Sequence, residues 1–239
     1  MQSKKFLSLV KLFQKERSMR QLTPKLITIL VATFLVLAGC DKKGTTEPTD
    51  QKPSIPQFQL SLPSSSALSD TCNARAFEYA SIVTGYATEA AGIAALPLIN
   101  NNGVWSLSIP DSGQTHTISA TRQSDGSYLW KYLINPGNWT LIDGMTTSID
   151  GTTGNLTVYD DSNAPAQVIF LKVSWKPVTG GVELTLDMYE SGQPSGRVVV
   201  VSGTSGSGDI TEYARSGSQW LPTGGHWHWN GANAVATCL

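Results

Sequence analysis

After Pro97 the chain alternates apolar and polar residues in short runs, each cut by a turn signal, and a period of two dictates strands rather than helices. Tyr128 to Ile134 alternates aromatic and mixed faces, and Val182, Leu184, Leu186 and Met188 alternate with Glu183, Thr185, Asp187 and Tyr189. Val168 to Trp175 and Arg197 to Ser202 read as further strands. The four consecutive valines of the second predict burial on both faces. Ser124-Asp125-Gly126, Asp143-Gly144, Asp150-Gly151, Thr153-Gly154-Asn155 and Gly180-Gly181 supply the turn chemistry. Such short connections join antiparallel neighbours, because parallel strands need long crossovers.

Ahead of the strands, Thr71 to about Leu96 repeats apolar residues every three or four positions: Phe77, Ala80, Val83, Tyr86 or Ala87, Ala90 and Ala94. Ser69, Asp70 or Thr71 can cap this helix. Gly85 and Gly92 weaken it by about 1 kcal/mol each relative to Ala, so a close approach of the helix backbone to a sheet is the expected compensation. The fold class that follows is α+β, mainly antiparallel β. A long curved meander sheet of about nine or ten strands packs on one N-terminal helix, with a two-sheet β-sandwich as the alternative. The strand near Gly225 to Asn230 is expected close to the helix start.

The beginning of the chain has a different character. Leu26 to Leu37 is uncharged and apolar, too short to span a bilayer comfortably, and it follows seven Lys and Arg residues. It ends in Leu37-Ala38-Gly39-Cys40, which resembles the lipobox of bacterial lipoprotein precursors. The resemblance implies a signal peptide over residues 1–39 and fatty acylation of Cys40; the unusually long basic stretch before the apolar run points to Met19 as the true start. A single acyl chain anchors marginally, whereas two or three hold a protein on a membrane durably. Asp41 is similar to an inner-membrane retention signal of some enteric bacteria, which leaves inner and outer membrane both open. Residues 40–57 are polar and proline-rich, a composition that predicts a flexible tether, and 58–239 then form a single β-rich domain of about 180 residues. A curved sheet around one helix resembles, over residues 70–239, the half-barrels of periplasmic lipoprotein carriers such as the LolA and LppX families.

With Cys40 assigned to lipid, Cys72 and Cys238 remain as an even pair in an oxidising compartment, and a disulfide between them is expected. Two separate thiols are the alternative. Seven of the 17 Lys and Arg and one of the 18 Asp and Glu lie before Cys40, leaving 10 against 17 in the mature chain. That acidic balance excludes the basic footprint of a nucleic-acid binder.

Candidate chemistry is sparse. In Gly224-Gly225-His226-Trp227-His228-Trp229 a strand places both histidines on one face and both tryptophans on the other. His226 and His228 can then hold one Zn²⁺ or Cu²⁺, with His116 or a carboxylate as third ligand. Seven tryptophans invite a carbohydrate platform, although Trp105, Trp130, Trp139 and Trp175 sit where strand cores use them. Gly203 to Gly208 lacks the Lys of a phosphate loop and reads as a hairpin tip. The turn aspartates 125, 143 and 150 and the pair Asp160-Asp161 fit turn geometry. No residue set forms a recognisable catalytic constellation and no cofactor beyond the covalent lipid is implied. The expectation is a membrane-anchored envelope protein with a non-catalytic binding role toward a hydrophobic ligand, a carbohydrate or a partner protein. A purely structural envelope protein is the alternative, and a metal-dependent enzyme using the His226/His228 strand is the third reading.

Overall fold

In the computed structural model, residues 51–58, 60–111, 113–160 and 167–239 are described. Cys40 and the leader lie outside them. Among the described residues one α-helix, α1 (Thr71–Ala95), precedes twelve strands. In chain order these are β1 (Ile99–Asn101), β2 (Val104–Asp111), β3 (Gln114–Arg122), β4 (Tyr128–Asn135), β5 (Trp139–Thr146), β6 (Gly154–Tyr159), β7 (Ile169–Val178), β8 (Gly181–Glu190), β9 (Gln193–Gly203), β10 (Gly208–Ser216), β11 (Gln219–Trp229) and β12 (Thr237–Cys238). All twelve lie in one open sheet in chain order, each antiparallel to the next. The sandwich alternative is therefore set aside. The strands beyond the expected nine or ten include the two short ones at the sheet edges.

Asp70 is the helix cap: its carboxylate accepts from the amides of Cys72 at 2.8 Å and Asn73 at 3.0 Å. The helix turns Ala76, Tyr79, Ala80, Val83, Ala87, Ala90, Ala91 and Ala94 inward. It packs on β8 to β12. The ring of Tyr79 lies 5.3 Å from that of Trp227 on β11. Gly85 and Gly92 are exposed, and a Cβ at either would meet open space. The close backbone approach expected at these glycines is not there; the alanines of the opposite face make the approach instead.

Register explains the core. Trp227, Ile210, Val200, Leu184, Trp175, Gly154, Thr146 and Tyr128 are successive cross-strand partners from β11 to β4, and all are buried. Large indoles on this face require empty space beside them. A Cβ on Gly208 would collide with the ring of Trp229, and one on Gly154 with the ring of Trp175. The valines of β9 split between faces: Val198 and Val200 are buried, while Val199 and Val201 are half-buried on the side away from the helix. Burial of that run on both faces is thus corrected to ordinary alternation. Asp143-Gly144 is likewise not a turn but lies inside β5, where Gly144 faces Leu156 and a side chain would strike the β6 backbone.

The described end of the expected tether, residues 51–57, lies against the domain. Pro53 and Ile55 are buried, the Ser54 amide donates to Ile149 O at 2.8 Å, and Lys52 Nζ donates to Leu96 O at 2.9 Å. The strap continues with Phe58, whose ring is 5.6 Å from that of Trp175, and with Ser61, whose amide donates to Ser202 Oγ at 3.1 Å. At its end the Ser64 amide donates to Ala234 O at 2.9 Å. Asn73, fully buried, joins strap, helix and C-terminal loop. Its Nδ2 donates to Ser64 O at 2.7 Å and Ala67 O at 3.2 Å, while its Oδ1 accepts from the Ala236 amide at 2.8 Å. Beside it Cys72 and Cys238 stand at disulfide distance, their Cα atoms 5.8 Å apart.

Candidate functional site on the open face of the sheet

Strand alternation delivers a second face, away from α1, that carries most of the polar side chains. The histidine strand contributes to it as the pattern predicts. Trp227 and Trp229 are buried toward the helix, and His226 and His228 are half-buried on the open face beside Thr211 and Asp209 of β10. Asp209 Oδ1 lies 3.0 Å from His228 Nδ1 and 3.5 Å from His226 Nε2. His116 is elsewhere: on β3, eight strands away in sheet order, its Nδ1 is 2.9 Å from the Tyr132 hydroxyl. Among the described residues no three His, Cys, Asp or Glu side chains are grouped so as to hold a metal ion. The carboxylate by the histidines is a hydrogen-bond partner on the neighbouring strand.

The aromatic residues divide in the same way. Trp130 and Trp175 are fully buried, and their indole N–H groups donate to Thr146 Oγ1 at 3.2 Å and Gly151 O at 2.7 Å. Trp105 and Trp139 are half-buried. Trp220, near the start of β11, lies on the open face under two cations: the guanidinium carbon of Arg197 is 4.7 Å from its ring centroid and that of Arg215 is 5.3 Å. Arg197 is held by Asp187 of β8 in a two-point pair, Nε to Oδ1 at 2.5 Å and Nη2 to Oδ2 at 2.8 Å. That hydrogen-bonded carboxylate is the main reason the guanidinium binds its proton more tightly than usual.

Between β5 and β9 the open face dips into a depression of about 360 Å³. Asn155, Ser174 and Thr185, direct cross-strand partners on β6, β7 and β8, lie along it. Lys176 and Glu183 line it as an ion pair of 2.9 Å, and Arg197 also contributes to the lining. Met145 is its exposed apolar member. Arg197 therefore belongs both to the depression and to the stack on Trp220. Further along the face the Tyr159 hydroxyl donates to Asp143 Oδ2 at 3.0 Å. Burial first, and then that carboxylate, push the phenol up to about 12.

The turn aspartates 125 and 150 behave as turn chemistry requires. Asp125 accepts from the Ser127 amide and hydroxyl, and Asp150 from Ser148 Oγ and Thr152, which keeps both carboxyls below their usual range. Gly203 to Gly208 closes the β9–β10 hairpin, with the Gly203 amide donating to Ser207 O at 2.9 Å. Alternation alone marks Asp187 and Thr185 as outward residues, but the grouping of Asp187, Arg197, Trp220 and the depression was missed in the sequence. No family model matches the chain, and neither a curated protein nor a solved structure matches it.

Proposed function

We propose that this chain is a lipid-anchored envelope protein whose domain binds a glycan on the open face of its sheet. The carrying observation is the depression along Asn155, Ser174 and Thr185, a row of amide and hydroxyl groups flanked by an ion pair and a guanidinium. Its volume is that of a small-ligand site, about 300–1,000 Å³. Hydroxyl-rich ligands are recognised by such groups, each of which donates and accepts. An apolar ligand would leave them desolvated and unpaired, at a cost of about 1–3 kcal/mol apiece. A lipid cargo would need room between helix and sheet, where Ala76, Ala80, Ala87 and Ala90 press onto the strands with exposures of 0–3%. The lipobox supports placement at the envelope, and the Cys72–Cys238 pair suits an oxidising compartment.

Two measurements test this reading. Radiolabelled palmitate is expected in the wild-type chain and absent from Cys40→Ala; a wild-type chain free of label removes the anchor. In native gels cast with polysaccharides, retardation of the wild-type domain is expected to fall at least about tenfold in apparent affinity on Asn155→Ala combined with Thr185→Ala. A domain that migrates unretarded through every polysaccharide tried points to the purely structural envelope role instead.

A further inference from the structure

We infer that the glycan is acidic: Arg215, beside Trp220, holds the carboxylate of a uronic-acid unit further along the same polymer whose other units occupy the depression. This rests on the glycan reading above. Three observations carry it. Arg215 is exposed and makes no ion pair among the described residues, whereas Arg197 is paired with Asp187 and Lys176 with Glu183. Its Nε donates to Gly217 O at 2.9 Å, which orients the guanidinium and leaves its Nη groups for an outside acceptor. Planar guanidinium donors match a carboxylate in two-point contact, which a lysine does not reproduce. The site is also prearranged. Trp220 is half-buried, and its ring centroid lies 5.3 Å from the guanidinium carbon of Arg215 on the adjacent strand and 4.7 Å from that of Arg197 one strand further on. A cation whose geometry is already set by its own hydrogen bond and a ring beside it costs less to engage than a mobile one. Finally, Arg197 links the two places: it lines the depression and touches the ring against which Arg215 stacks. Asn155 on β6 and Arg215 on β10 are four strands apart, about 19 Å at ordinary strand spacing, so one extended polymer can put a hydroxyl-rich ring over Asn155 and Thr185 and a charged unit several rings further on at Arg215. The mature chain's acidic balance, 10 basic against 17 acidic residues, disfavours indiscriminate attraction of polyanions and so demands a local site.

The test uses the mature chain in native gels containing polygalacturonate, alginate or hyaluronan, each paired with its carboxyl-reduced neutral form. The expected result is retardation by at least one acidic polymer, about tenfold weaker binding to its neutral form, and loss of that preference in Arg215→Gln. Arg215→Lys is expected to restore only part of it, because charge returns without the planar fork. Asn155→Ala weakens acidic and neutral forms alike. Equal binding of the acidic and neutral forms overturns the inference while leaving the glycan reading intact, and so does an Arg215→Gln variant that keeps the preference. Equal retardation of wild type and Arg215→Gln by dextran sulfate along with the acidic polymers also overturns it. Failure of every polymer, acidic and neutral, removes the glycan reading and this inference together.

Discussion

Asn73 sits where three separate pieces of backbone meet, and its amide satisfies a group on each. Removing it strands the Ser64 carbonyl and the Ala236 amide, whose bonds to Asn73 are buried, while Ala67 O keeps the Asp70 amide. Asn73→Ala is expected to lose about 3 kcal/mol, read as a lower urea midpoint at unchanged slope. The glycines make a paired test of space against backbone freedom. Gly208→Ala drives a methyl into the Trp229 indole and is expected to cost about 1–3 kcal/mol. Gly85→Ala and Gly92→Ala point into open space on an exposed helical face and are expected to stabilise by about 0.5–1 kcal/mol each. A destabilised Gly85→Ala chain would mean that something covers this side of α1. None of this was legible beforehand: composition marks a glycine in a helix, but only packing says which side it occupies.

At the scale of elements, the alternation in β8 and the signals around α1 were readable because one face of each is buried and the period survives in the residues. Register was not, and the reason is local. Counting outward from the β8–β9 turn, Glu190 pairs with Gln193 and Tyr189 with Pro194, which puts Arg197 opposite Leu186 on the buried face. The irregularity between Met188 and Tyr189 shifts the count by one and brings Arg197 opposite Asp187. A second shift, between Thr211 and Tyr213, places His228 by Asp209. The Arg197–Asp187 pair is thus set by an irregularity that leaves no periodic trace, whereas Ser174 with Thr185 and Lys176 with Glu183 fall in unbroken register. The sheet edges show a related device. β1 covers only Val104 to Ser106 of β2, and β12 only Trp227 and His228 of β11; the uncovered remainders carry Pro110 and Pro222. A proline denies a donor to any incoming strand. Replacing both by Val is expected to increase concentration-dependent association, measured by light scattering against the wild type; unchanged mass would show that the edges are guarded by other means.

For the molecule as a whole, the expectation of one helix and a single antiparallel meander holds among the described residues, because short turns leave the chain few other ways to pair. The strap was misread for an equally physical reason. Residues 51–57 are polar and proline-rich on average, yet the few apolar ones, Pro53 and Ile55, are the ones that are buried. Averages describe solubility and not which side chains share a face. The Cys72–Cys238 pair spans 166 residues, so a bond there restrains the unfolded chain by up to about 5 kcal/mol. Cys72→Ser with Cys238→Ser is expected to lower the melting temperature by about 5–15 °C. A midpoint equal to that of the oxidised wild type would show that the pair contributes nothing.

A bond between Cys72 and Cys238 would have a mechanical consequence. With Cys72 and Cys238 bonded, all twelve strands would lie inside a covalent ring closed at one spot, next to the helix cap. Tension applied through the segment ahead of Gln51 enters at Lys52 and Ser54 and must first strip the strap, contact by contact, from Ile149 to Ala234. Once it reaches a bonded Cys72 the load would pass straight to Cys238 and not through the strands between them. A tug from that side can fray the harness, but it cannot unzip the sheet.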